Sequence, residues 1–147
     1  MFATKVTAKV VQDKSGVATE IPVILTDQGV LGSVTDYVLS LHLNGISLST
    51  ITNHIQSIRL LIEFMSANEG MFDEPEALFA AFVRRLYSGT IGEDGLDPSG
   101  LYWIPASNGT IHRHISNLTN FTNWLTDKGL GKPLNTLRTA TRHVVVN

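Results

Sequence analysis

The chain has 147 residues, 43% of them hydrophobic, and a net charge of -2, so it can bury the core of one domain. It has no cysteine, which excludes disulfides and thiolate metal sites. No apolar run approaches the roughly 18 residues of a membrane span, and no secretory signal opens the chain. We therefore expect a cytoplasmic protein without membrane contact.

Charge is distributed unevenly along the chain. Residues 1–59 are neutral overall, residues 60–105 have a net charge of -6, and residues 106–147 have a net charge of +4. A basic final third permits a local surface for a polyanion, although the protein as a whole is mildly acidic.

The first predicted element is a β-hairpin. "KVTAKVVQ" (5–12) and "VATEIPVIL" (17–25) alternate or run apolar around "DKSG", where Gly16 can adopt the positive φ of a tight turn. Pro22 cannot donate a ladder hydrogen bond, so we expect the second strand to be an edge strand. We predict that the hairpin, residues 1–29, is an appendage to a helical body.

Two helices are predicted next, from apolar residues that recur every three or four positions. "SVTDYVLSLHLNG" indicates the first helix, with Ser33 as N-cap and Gly45 after its end. The second helix spans residues 49–68, and either Ser49 or Ser47 is expected to cap it.

Two further helices flank a long loop. "DEPEALFAAFVRRLYSG" indicates the third helix, with Asp73 as N-cap and Glu76 as its capping-box partner. The loop "TIGEDGLDPSGLYWIPASNG" is too rich in Gly, Pro and Asp to be regular. Four of its apolar residues are expected to hold it against the body: Leu101, Tyr102, Trp103 and Ile104. The fourth helix covers about 110–128 with Thr110 as N-cap.

This order of elements predicts an all-α fold, a four-helix bundle preceded by a short N-terminal β-hairpin.

No motif indicates an active site, a metal or a cofactor. His112 and His114 lie two positions apart on a predicted helix, so they diverge by roughly 200° and cannot chelate one ion. Asp73, Glu74 and Glu76 belong to a helix's first turn, where capping and the helix dipole explain them. The loop "GEDGLD" lacks the alternating ligands of a calcium site.

Two predicted helices have polar faces that are poor in Glu and Lys. On the second helix, the residues opposite the isoleucines are Ser49, Thr52, Asn53, Gln56 and Arg59. On the fourth helix, the polar residues are Thr110, His112, Arg113, Asn117 and Asn120. Such groups suit base edges and phosphates. The alternative interpretation is an ordinary solvated surface. We assign Trp103 and Trp124 to packing rather than to base stacking.

Three segments resemble, in order and spacing, the N-terminal core-binding domain of tyrosine recombinases, the phage-integrase family. They are "GISLSTITNHIQSIRLLIEFM", "EALFAAFVRRLYSG" and "NGTIHRHISNLTNFTNWLTDKGL". Ser49 and Thr50 match the Ser-Thr signature that opens a helix in this family. The "F..WL...G" pattern of a later helix is matched by Phe121, Trp124, Leu125 and Gly129. The insertion "GTIGEDGLDPSGLYW" resembles integrases of mobile genetic elements.

The resemblance implies a SAM-like orthogonal bundle that forms half of a clamp on duplex DNA, in a protein of DNA integration and recombination. It divides the chain into the hairpin (1–29), the core-binding domain (30–132) and the start of a linker (133–147) to a catalytic domain. Family members cut DNA with two arginines, a lysine, a His-x-x-Arg box and a tyrosine in that domain. No His here is followed three positions on by Arg, so we expect this chain to bind DNA and not to cut it.

The resemblance also implies three partners: double-stranded DNA, the protein's own catalytic domain and other protomers of a recombination tetramer. The residues assigned to phosphates are Arg59, Arg113, Lys132, Arg138 and Arg142. Those assigned to groove edges are Thr52, Asn53, Gln56, His112 and Asn117, with Thr110 completing the DNA-binding set.

Three other functions stay open. A helical protein-interaction module without DNA affinity predicts an exposed apolar patch. An independent helix-turn-helix regulator predicts a homodimer and a turn of three or four residues between two helices. A small enzyme would need a pocket with convergent titratable groups.

Overall fold

The structure is a computed structural model that describes residues 4–12, 16, 18–26 and 29–129. Its elements are β1 (Thr4–Gln12), β2 (Ala18–Thr26), β3 (Gly29–Val30), α1 (Gly32–Leu43), α2 (Leu48–Ala67), α3 (Pro75–Ser88) and α4 (Asn108–Asp127). The predicted architecture, four helices after an N-terminal β-hairpin, is confirmed.

The three strands form an antiparallel sheet in the order β1-β2-β3. β1 and β2 pair along their whole length, with Thr4 opposite Thr26, and Gly16 between them has the predicted positive φ, 85°. β3, which the sequence did not predict, pairs only with Leu25 and Thr26. The prediction that the second strand is an edge strand is therefore wrong, because β2 lies between β1 and β3. Pro22 itself is paired with Ala8 of β1 and lies outside the short β3 pairing.

β2 is part of the hydrophobic core, whereas a strand of the predicted appendage would lie outside it. Ile21, Val23 and Ile24 are at most 1% exposed and lie in the same apolar cluster as the buried residues of the helices. Because residues 21–24 are all buried, both faces of β2 are covered, and α1 and α2 pack against it.

The Ser N-caps of α2 and α4 both precede a Thr by three positions. Ser47 accepts the N–H of Thr50 at 3.4 Å, as one of the two predicted caps of α2. Ser107 accepts the N–H of Thr110 at 3.3 Å. The prediction that Thr110 caps α4 is therefore wrong, because Ser107 satisfies the first free N–H groups one turn earlier.

The other two helix starts are set by the chain that enters them. α1 begins after Leu31 and not at Ser33, because the Leu31 N–H donates to the Ile24 carbonyl at 3.1 Å and continues the sheet to the helix boundary. α3 begins at Pro75, with Glu74 as an extended N-cap in place of Asp73. A proline favours the first helical position and forces the residue before it to be extended.

The buried stripe of α2 turns along its length. Ile51, Ile55 and Ile58 are at most 1% exposed, and the stripe continues through Leu61 and Phe64, whereas Ile62 and Met65 are half-buried. The reason is aromatic packing: Phe64 lies 5.6 Å from Phe82 of α3 and 5.8 Å from Trp103, between ring centroids.

Among the residues that the structure describes, no helix combines the length and the apolar character needed to cross a membrane.

Candidate nucleic-acid interface

α2 and α4 pack side by side in antiparallel directions, and their polar faces meet. Asn117 of α4 donates from Nδ2 to the Asn53 carbonyl of α2 at 3.3 Å. His114 lies one turn before Asn117 on α4, and it contacts Ser57, which lies one turn after Asn53 on α2. Helical spacing then places Arg113 beside Asn117 on the exposed side.

We call this surface the seam face. Thr52, Arg59 and His112 lie further around the two helices, and Thr110 lies two turns before Asn117 along α4. The seam face consists of the exposed or half-buried residues that border the α2–α4 contact. Its members are Asn53, Gln56, Arg113 and Asn120.

Asn117 is not available to a groove edge. Its side chain is 8% exposed, and Nδ2 also donates to Ser57 Oγ at 3.0 Å, so the amide joins the two helices. Its predicted place among the groove-edge residues is therefore wrong. The small Ser57 side chain lets α4 approach closely enough to bury Asn117, which the periodicity of one helix cannot reveal.

Ser57 and His114 form the centre of a buried polar cluster. Ser57 is fully buried, and its Oγ lies 2.7 Å from His114 Nδ1. Burial, with a smaller contribution from Arg113, lowers the pKa of His114. The imidazole is therefore neutral in this cluster, and Ser57 Oγ accepts the Asn117 N–H at 3.0 Å and donates to the Asn53 carbonyl at 3.3 Å.

A second buried pair joins α1 to α2. The Tyr37 hydroxyl lies 3.2 Å from His54 Nδ1, and its ring packs 5.4 Å from that of Trp124. Burial raises the pKa of Tyr37 to about 12 and lowers the pKa of His54. The phenol and the imidazole are therefore both neutral, and one hydrogen bond joins them.

These two histidines predict a loss of stability in mild acid. Because their folded-state pKa values are lowered from 6.5, the unfolded chain binds more protons below that pH. Their contribution to stability is complete above 6.5 and is lost as the pH falls through the lowered folded-state values. Denaturant unfolding of the wild type at successive pH values should show that the free energy of unfolding falls in acid, and this fall should be smaller in H114Q. H112Q is the matched control, since His112 is exposed. Constant wild-type stability from pH 7.5 to 5 would contradict the assignment.

The two arginines of the predicted site differ in their surroundings. Arg59 donates from Nε to Glu63 Oε1 at 3.0 Å, with side chains 36% and 22% exposed, so a carboxylate already balances its charge. Arg113 is exposed and forms no ion pair within the described part of the chain. Arg113 is thus the stronger candidate for a phosphate contact.

The predicted threonines use their hydroxyls within the helices. Thr52 donates to the Leu48 carbonyl at 2.9 Å, and the Thr110 hydroxyl accepts from Ser107 at 3.1 Å. Both are half-buried, whereas His112 is exposed. Three predicted phosphate ligands lie outside the described residues: Lys132, Arg138 and Arg142.

The seam face is poor in acidic groups. α4 has no acidic residue before Asp127, and α2 has only Glu63, the partner of Arg59. Residues 69–97 between them contain seven of the thirteen acidic residues of the chain. The negative charge of the protein is therefore concentrated away from the sequences that form the seam face, which favours an anionic ligand there.

Trp103 and Trp124 both pack against the core, as predicted. Among the residues that the structure describes, no group of three His, Asp or Glu side chains could hold a metal ion.

Sequence reasoning missed Ser57 and His54, the polar residues buried within α2. A signal was present: His54 lies three residues after Ile51 and four before Ile58, and Ser57 lies four residues before Leu61. Polar residues at such positions are hydrogen-bonded when buried, but their partners on α1 and α4 are set by tertiary packing.

We compared the chain with known proteins. No family model matches it, and no curated protein or solved structure matches it either.

Proposed function

We propose that this chain is the DNA-binding domain of a site-specific tyrosine recombinase and positions the enzyme on duplex DNA through the seam face. The observation that carries the proposal is that α2 and α4, the helices with the family-like motifs, join their acid-poor polar surfaces across the Asn53–Asn117 hydrogen bond at 3.3 Å. The proposal places the protein in the cytoplasm, with the catalytic domain and other protomers as further partners.

The electrostatics of the described residues support weak, salt-sensitive binding. Neutralised phosphates supply much of DNA affinity, and each contact adds about 0.9 to the slope of log K against log salt. Arg113 is exposed, whereas Arg59 would have to share its charge between Glu63 and a phosphate. Lys132, Arg138 and Arg142 belong to the proposal as further cations.

An amide NMR titration with a generic duplex, at low salt and at several times that salt, tests the proposal directly. We expect shifts in residues 49–59 and 110–120 that fade as salt increases. A titration without shifts at low salt, or with shifts confined to other residues, would overturn the proposal.

A matched pair of variants separates a phosphate contact from a general effect of charge. R113Q should weaken duplex binding and reduce the salt slope by about 1, because one phosphate contact is lost. R84Q makes the same change of charge on the exposed Arg84 of α3 and should leave the slope unchanged. Fluorescence anisotropy across a range of salt concentrations measures both slopes, and equal slopes for the two variants would remove Arg113 from the interface.

A protein-interaction module is the second candidate, and an observed apolar patch favours it. Leu43 is 79% exposed and Leu48 is 56% exposed, on either side of the turn between α1 and α2, with Ile46 at 36%. Patches of this kind mark protein contacts. A negative DNA titration, together with self-association that the double variant L43S/L48S abolishes in sedimentation velocity, would favour this function.

A further inference from the structure

The loop between α3 and α4, residues 89–107, and the last turn of α3 contain a large share of the exposed hydrophobic side chains of the described residues. Ten large hydrophobic side chains are exposed among the described residues, and half of them lie in this short stretch. They are Tyr87, Ile91, Leu96, Tyr102 and Ile104. An apolar concentration of this kind marks an interaction surface.

The loop presents these side chains on a fixed backbone. Thr90 donates its N–H to the Trp103 carbonyl at 3.0 Å, and the Trp103 N–H donates to Thr90 Oγ1 at 2.9 Å. The Trp103 ring stacks on Phe64 of α2. Trp103 thus holds the loop to the body, while its neighbours Tyr102 and Ile104 are 51% and 75% exposed. The predicted anchoring role is therefore wrong for these two residues.

Tyr102 has a backbone conformation that its side chain disfavours. Its φ is 54°, and it is the one non-glycine residue with positive φ in the described part of the chain. The Tyr102 N–H donates to Asp97 Oδ2 at 2.8 Å, which holds this conformation. Glycine would meet the backbone requirement without steric cost, so the fold alone does not call for a tyrosine. Strained residues of this kind concentrate at ligand contacts.

The charge of the loop indicates the chemistry of the partner. Residues 89–107 contain Glu93, Asp94 and Asp97 and no Lys or Arg, and both Glu93 and Asp94 are exposed. The last turn of α3 adds the exposed Arg85, so the three acids and one arginine leave this surface with a net negative charge. This surface repels phosphates and complements basic side chains. We propose that Tyr102 and Ile104 form a docking site for a basic amphipathic segment of another protein, independently of DNA binding at the seam face.

The probe for the experiment is a short helical peptide of leucine and lysine, titrated into the full chain and followed by amide NMR. Two matched peptides accompany it: serine and lysine, with the same charge and no apolar face, and leucine and glutamate, with the opposite charge. We expect shifts in residues 91–104 with the leucine–lysine peptide, and much weaker binding of the other two. Equal binding of the serine–lysine peptide, or shifts confined to the Leu43–Leu48 turn, would overturn the proposal.

Two variants distinguish docking from a structural role. Y102G removes the ring and also removes the steric cost of the positive φ. It should therefore keep the melting temperature at or above that of the wild type and weaken peptide binding by about tenfold. I104S should weaken binding similarly, because Ile104 is the most exposed apolar side chain of the loop. If Y102G lowers the melting temperature and leaves the affinity unchanged, Tyr102 serves the fold and the proposal fails.

Discussion

Replacing Gly89 by alanine is expected to destabilise the domain by about 3 kcal/mol. Gly89 ends α3 with φ 73° and ψ -179°, a backbone region that is accessible essentially to glycine alone. An added Cβ would lie 2.7 Å from the Trp103 carbonyl oxygen and 3.1 Å from Pro105 Cδ. The loop would have to move away from α3, and Trp103 would be drawn from its contacts with Phe64 and Phe82.

Gly45 provides the matched control at the end of α1. Its φ is 80°, but nothing lies within 4 Å of an added Cβ, so G45A should cost only about 1 to 2 kcal/mol for the left-handed conformation. Denaturant unfolding of both variants measures the difference. If G89A loses no more stability than G45A, Trp103 does not approach the end of α3 closely enough to exclude a side chain there.

Replacing Asp97 by alanine is expected to destabilise the loop by about 2 to 3 kcal/mol, because several part-buried donors lose a charged acceptor. Asp97 is 7% exposed. It accepts the Ser99 N–H at 2.8 Å, the Ser99 hydroxyl at 2.6 Å and the Tyr102 N–H at 2.8 Å, and the Thr90 hydroxyl also donates to it. Faster hydrogen exchange at the Ser99 and Tyr102 amides, with a lower free energy of unfolding, would show the loss.

The same carboxylate predicts acid sensitivity at low pH. Burial alone would raise the pKa of Asp97, but the hydrogen bonds from Ser99, Thr90 and Tyr102 outweigh it and hold the pKa far below 3.8. A depressed folded-state pKa contributes stability that is complete above the unfolded value and is lost as the pH falls below it. D97N should remove this decline below about pH 4.

The exposed Asp94, which accepts the Leu96 N–H at 3.0 Å, supplies the control for D97A: D94A should change stability by only about 0.5 kcal/mol. Equal effects of D97A and D94A would contradict the role of Asp97.

The arrangement of the loop and the seam face suggests a division of labour. The acid-poor surface of α2 and α4 suits a polyanion, whereas the acidic, apolar loop suits a basic protein segment. DNA titration of R113Q and peptide titration of Y102G test these two proposals separately, because neither residue contributes to the other surface.

The sequence by itself determined the number and type of the helices and the hairpin, because these follow from local chemistry. Apolar periodicity located all four helices, Ser47 caps α2 as one of the two predicted candidates, and Gly16 has the expected positive φ. Such signals act within a few residues of the chain, so they are readable without a partner element.

Tertiary structure decided which polar residues remain on the surface. Asn117 and Ser57 are buried because α2 and α4 pack closely there, and β2 joins the core because α1 and α2 cover it. Asp97 draws its donors from residues up to seven positions away. Hydrogen-bond partners and burial depend on distances between elements, and periodicity within one element contains no information about those distances.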